Sequence, residues 1–228
     1  MNKANPLIIL LIFLGVLALI SVVDGAFVTV YSILTGLPPK EAMSRVFWPL
    51  TVFNEVVLLI FALIFSRILL SQPFNFSITF KTALVGVVFG LTGFFLASIT
   101  SSILCSLVDF KIPEWYVKAI TPKSPLELGV ALLVIWGLVG FCEEIFFRGL
   151  IQGYFSQWKG AKFSILASST FFAVAHLTPE LWVKAVPAFV VGLLYGFLYE
   201  KTKSVTPPAL AHAINDSMAI LMLRWFSW

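Results

Sequence analysis

The chain has 228 residues, of which 60% are hydrophobic and 11% charged, and its mean hydropathy is +1.00. A soluble domain carries about a quarter of its residues as charges, so composition excludes an ordinary soluble fold. The formal net charge of +4 lies mostly in short loops, where it suits anionic lipid headgroups and gives no footprint for nucleic acid.

Apolar runs that fit a bilayer crossing recur along the chain. They predict spans at about 6–23, 47–70, 82–107, 127–149, 162–176, 181–199 and 207–226. The expected fold is an all-α polytopic membrane protein: one transmembrane domain over 1–228, built as a bundle of about seven helices, with a polar cavity formed by the last four. The first run reads as an uncleaved helix, because a cleavage site after Ala26 would put Asp24 at the −3 position, which signal peptidases do not favour. In the second run, Asn54 and Glu55 either line the same cavity or bond locally, and a structural role is preferred over a catalytic one. "GVVFG" (86–90) in the third run and "GLLYG" (192–196) in the sixth are small-xxx-small patterns for close helix packing.

The segment "DFKIPEWYVKAITPKSP" mixes signs and reads as a surface segment between the third and fourth runs. Glu127 follows it at a helix start, where the macrodipole favours an acid. The fifth run is short for a full crossing, and Pro187 is expected to kink the sixth. Trp48, Trp115, Trp158, Trp182, Trp225 and Trp228 fall near span ends, as interfacial aromatics do. Cys105 and Cys142 both sit in apolar runs and do not suggest a disulfide framework.

The fourth run ends in "GFCEEIFFRGL" (140–150), with Glu143, Glu144 and Arg148 where lipid is the expected surrounding. Each ionised side chain at the centre of a membrane helix costs roughly 2.5–3.5 kcal/mol when it stands alone. Glu144 and Arg148 are spaced i, i+4 with the acid first, so they can neutralise each other. Glu143 has no such partner and must find one on another helix or in water. The two histidines of the chain also lie in apolar runs. His176 closes "FFAVAH" at i+4 from Phe172, and His212 opens "HAIND", followed by Asn215 and Asp216. Polar groups converging from separate helices mark a cavity.

A carboxylate in an apolar cavity beside histidines can activate water, and His or Asn side chains can donate to an oxyanion. That chemistry points to hydrolysis of an amide within the membrane. A zinc ion held by Glu143, His176 and His212 is the alternative use of the same residues. Against zinc, there is no HExxH motif and each helix offers a single ligand, so the metal-free base is preferred and no cofactor is expected. A proton-relaying transporter is a further reading, disfavoured because the two halves show no matching broken helices.

In order, "EEIFFR" (143–148), "FAVAH" (172–176) and "HAIND" (212–216) resemble the EExxxR, FxxxH and HxxxN/D motifs of the CPBP family of intramembrane proteases. That family includes the type II CAAX prenyl endopeptidases and bacterial relatives tied to bacteriocin processing or immunity. The resemblance covers about residues 140–216. It implies that Glu143 activates water with help from His176, and that His212 and the residue at i+4 form the oxyanion site. Glu144, Arg148 and Phe172 would support that site. The i+4 residue is often Asn but here is Asp216, which leaves three options: a protonated Asp216, donation by Asn215, or an Asp216 that only orients His212. The implied substrate is a hydrophobic or lipidated peptide at a cell membrane, and a bacterial cytoplasmic membrane fits the short loops. A non-catalytic immunity or scaffold protein on the same fold is the alternative.

Overall fold

The computed structural model describes residues 5–226, and Trp228 lies outside them. Helix α1 (Pro6–Thr35) opens on Asn5, whose side chain accepts the Leu7 amide at 3.0 Å, and Pro6 supplies a helical φ in the first turn. It closes at Gly36, whose φ of 69° is left-handed. Helices α2 (Pro39–Leu69) and α3 (Phe80–Leu107) follow, the latter opened by a reciprocal Thr79–Thr82 capping box. The mixed-charge segment carries a short helix, α4 (Glu114–Ile120).

Next comes one long helical run. It contains α5 (Pro125–Val134), α6 (Gly140–Glu144) and α7 (Gly153–Ala175), joined by two stretches of wider π-type winding at Ile135–Val139 and Ile145–Gln152. At Gly160 the backbone turns to φ 78°, ψ −178°, which breaks the run into two arms. Those arms correspond to the fourth and fifth expected spans. Glu127 has its expected place at the start of α5, accepting the Lys123 amide at 2.7 Å. A 3₁₀ turn (Trp182–Lys184) leads into α8 (Ala185–Thr202), and α9 (Thr206–Phe226) ends the described chain.

Five helical stretches among the described residues are long and apolar enough to cross a membrane: Pro6–Thr35, Pro39–Leu69, Phe80–Leu107, Pro125–Ala175 and Trp182–Thr202. The chain is an all-helical, multi-pass membrane protein. Helix α9 carries His212, Asn215, Asp216 and Arg224, which lower its hydropathy, and it packs against α3, α6 and α8. Large apolar side chains such as Leu34, Phe80, Leu107, Leu126 and Leu133 face outward, as lipid-facing positions do. Inside, Phe13 and Val16 of α1 and Leu58 of α2 pack with Phe146, Phe147, Leu150 and Phe172 in one apolar core.

Two expectations need correction. The helix of the first expected span, 6–23, runs on to Thr35, and Asp24 within it accepts from Asn54 Nδ2 of α2 at 3.0 Å. Pro187 does not kink α8, because that helix starts at Ala185. Pro187 therefore sits in its first turn, where the missing N–H has no helical acceptor to lose.

The small-residue patterns do their expected work. A Cβ on Gly90 would meet the Ala211 carbonyl at 2.6 Å and Ile214 Cβ at 2.8 Å, and one on Gly86 would meet the Pro207 carbonyl at 2.9 Å. On α8, Gly192 lies against Ser169 and Gly196 against Gln152. Gly90→Val is therefore expected to push α3 off α9 and cost about 1–3 kcal/mol, the usual overpacking penalty, read as a lowered thermal midpoint in detergent.

Candidate active site

Regular helical winding alone does not place the acidic pair. Helix α6 lies between the two wide-wound stretches, and such windings recur at functional sites because they re-aim the side chains beside them. Gly140 makes this placement possible on the packing side: a Cβ there would meet the Ala209 carbonyl of α9 at 2.8 Å and Ala213 Cβ at 3.1 Å. Helix α6 and α9 thus run close enough for their polar side chains to meet.

Glu144 and Arg148 are both fully buried and form the expected pair, with Arg148 Nε donating to Glu144 Oε2 at 2.9 Å. Arg148 Nη1 donates to Ser168 Oγ at 3.0 Å, and Ser168 in turn donates to the Phe147 carbonyl at 2.8 Å. The guanidinium also lies over the Phe172 ring, 5.2 Å from its centroid. Gln152, one turn on and also fully buried, donates to the Gly196 carbonyl at 2.9 Å. Ser168 and Gln152 are site-supporting residues that the sequence reading missed. Ser168 carried a signal, as a polar residue inside an apolar run, whereas Gln152 falls just past the end of the fourth run. Ser168→Ala would leave a buried guanidinium N–H without an acceptor, and is expected to lower stability by about 1–3 kcal/mol in a detergent melting experiment.

The same ion pair reaches α9. His212 Nδ1 donates to the second oxygen of Glu144, Oε1, at 3.1 Å. That bond turns His212 Nε2 toward Glu143 Oε2, at 3.9 Å, and toward Asp216 Oδ2, at 3.5 Å. Asn215 Nδ2 donates to Asp216 Oδ1 at 2.8 Å, so the Asn215 amide is engaged by its neighbour. His176 ends α7, and its Nδ1 donates to the Phe172 carbonyl at 2.9 Å, which leaves Nε2 as an acceptor in the neutral ring. Phe172 itself packs between the two histidines, with ring centroids 4.6 Å from His176 and 5.8 Å from His212.

A cavity of about 480 Å³ gathers these groups. Glu143, His176, His212, Asn215 and Asp216 all line it, together with Phe172, whereas Glu144 and Arg148 stand behind His212. Three of the last four expected spans supply these polar groups: the fourth gives Glu143, the fifth His176, and the seventh His212, Asn215 and Asp216. The first helices contribute too: Phe13 and Val16 of α1 form an apolar wall, and Asn54 and Glu55 of α2 line the cavity, one of the two placements expected for them. Lys184 is a cavity-lining cation that the sequence reading did not single out. Its ammonium donates to Tyr116 Oη of α4 at 2.7 Å. Among the described residues, no three or more His, Cys, Asp or Glu side chains are grouped so as to hold a metal ion.

Comparison with known proteins agrees with the class these motifs suggest. Residues 125–218 match the model of the family described as type II CAAX prenyl endopeptidase Rce1-like, so the resemblance to these intramembrane proteases holds over that segment. Among individual relatives, YdiL of Bacillus subtilis (strain 168), named as a candidate membrane peptidase, is 25% identical over 148 residues, covering 60% of this chain and 57% of YdiL. The uncharacterized protein YpbD of the same organism is 21% identical over 135 residues, covering 56% of this chain and 67% of YpbD. The chain thus spans less than two thirds of YdiL's length. No solved structure matches it. The matched segment holds the three motifs, while Asn54 and Glu55 lie outside it.

Proposed function

We propose that this protein is an intramembrane endopeptidase of the CAAX-protease type, which hydrolyses a peptide bond at the membrane with water activated by Glu143. The observation that carries the reading is Glu143 itself: a carboxylate that lines the cavity, has Oε2 without a hydrogen-bond partner, and lies 3.9 Å from His212 Nε2. Its partner at that distance, His212, is a member of the same cavity.

The step then runs on this chain's own groups. Glu143 takes a proton from a water positioned between it and His176 Nε2, and the water oxygen bonds to the carbonyl carbon of the substrate. The carbonyl oxygen gains the negative charge, and the Nε2–H of a protonated His212 donates to it. When the tetrahedral intermediate collapses, the C–N bond breaks and Glu143 returns its proton to the leaving amine. Glu144 and Arg148 hold the His212 ring through Nδ1, while Asp216 orients the ring and engages Asn215. Phe172 spaces the two histidines.

No metal takes part in this reading. The substrate is a hydrophobic or lipidated peptide or protein, with prenylated CAAX peptides the first to test, and no nucleic acid is involved. Residues 1–228 act as one membrane-embedded unit, with membrane lipids as neighbours, in a bacterial cytoplasmic membrane. The test incubates purified wild type and Glu143→Gln with a farnesylated CAAX peptide and a pool of unmodified peptides, with and without a chelator, and reads products by mass spectrometry. Cleavage by wild type alone, unaffected by chelator, is the expected result. Equal cleavage by both overturns the mechanism, chelator-sensitive cleavage transfers it to zinc, and no cleavage by either favours a non-catalytic immunity or scaffold role.

A further inference from the structure

Glu55 lies on α2, far in sequence from the three motifs, yet it is only 4% exposed and lines the same cavity as Glu143. The two carboxyls face the same cavity, and the Oε2 of each is buried without a hydrogen-bond partner. No Lys, Arg or His among the described residues pairs with Glu55. Its neighbour Asn54 is held by Asp24 of α1 at 3.0 Å, which fixes the rotation of α2 at this level.

A buried carboxylate without a cation is costly, and two side by side repel as well. One proton between the two carboxyls removes both costs. The groups facing Glu143 from the packed elements are His212 and Asp216 of α9, Glu144 beside it, and Lys184 before α8. His212 already donates to Glu144, and Lys184 to Tyr116. Neither occupies Glu55.

We propose that Glu55 is a positioning residue for Glu143: its carboxyl O–H donates to one oxygen of Glu143 and leaves the other free to face the water. This deepens the reading of Glu143 as the base and rests on it. A third carboxyl then has a reason to be in the cavity, and the first half of the chain contributes to the chemistry as well as to the wall.

Isotope-edited infrared spectroscopy of the full-length protein at neutral pH provides a test that needs no substrate. The expected result is a protonated-carboxyl C=O band in wild type that is lost in Glu55→Gln. A band absent from wild type, or untouched by Glu55→Gln, overturns the proposal. Kinetics on a cleaved peptide add a second readout. Glu55→Leu is expected to lower kcat by about 10–100-fold with KM unchanged, the usual range for a residue that orients a functional one. Glu55→Gln, whose amide can still donate, is expected to recover most of that loss.

Wild-type kcat in Glu55→Leu, a change confined to KM, or a Glu55→Gln enzyme as slow as Glu55→Leu each overturns the positioning role. The two proposals fail separately. Full activity in Glu143→Gln removes the base assignment, whereas an inactive Glu143→Gln beside a fully active Glu55→Leu removes only the role of Glu55.

Discussion

Glu143→Gln is expected to lower kcat by about 10²–10⁴-fold, the range a positioned general base contributes. Glutamine has nearly the same shape as glutamate but cannot accept a proton at its amide, so the water loses its base while the cavity keeps its volume. Because Glu143 Oε2 has no partner, the substitution breaks no hydrogen bond at that oxygen. Stability should therefore change little, and KM should hold within a few-fold if the carboxylate does not bind the peptide. A melting experiment beside the kinetic assay separates this outcome from misfolding. A Glu143→Gln protein with both wild-type kcat and wild-type stability would remove Glu143 from the mechanism.

Arg148→Met should act on the fold instead. It removes the cation from a fully buried pair and leaves Glu144 without the Nε donor now at 2.9 Å. Stripping one partner from a buried ion pair costs about 3–5 kcal/mol, because the remaining charge keeps its desolvation penalty. Met fills much of the guanidinium stem's space, so the loss reports charge more than cavity. The combined Glu144→Gln/Arg148→Met protein is the control. With no orphaned charge it should recover much of the stability, since neutral replacements of buried pairs are often tolerated. It should stay inactive, because His212 Nδ1 would no longer donate to a carboxylate and the ring would lose its orientation. Stability that falls equally in the single and double variants would mean that Arg148 acts by packing on Phe172 and Ser168.

Two lines of evidence in the chain point the same way for different reasons. Glu144 accepts from both His212 and Arg148, linking α9 to the long helical run, so the stability of the core and the aim of the histidine depend on the same carboxylate. Asp216 lies at the α9 end of this linkage. Its Oδ1 accepts from Asn215 Nδ2 at 2.8 Å and its Oδ2 lies 3.5 Å from His212 Nε2, contacts that support the proposed orienting role.

Much of this was legible in the residues. Hydrophobicity is additive along the chain, so composition and run length alone establish a multi-pass helical membrane protein. The cost of burying charge in hydrocarbon singles out Glu143, Glu144, Arg148, His176, His212 and Asp216, and helical spacing pairs Glu144 with Arg148. Small residues at i, i+4 mark where α3 meets α9 and where α8 meets α7. What needed the tertiary structure were the contacts between helices, because sequence spacing carries no information about which face of one helix turns toward another. The wide winding on either side of α6, the bond from His212 to Glu144, the bridging of Arg148 by Ser168 and the meeting of Glu55 and Glu143 in one cavity are all of that kind. Pro187 makes the same point about boundaries: one proline breaks a helix in its middle and fits in its first turn, and only the packed start of α8 at Ala185 decides which applies.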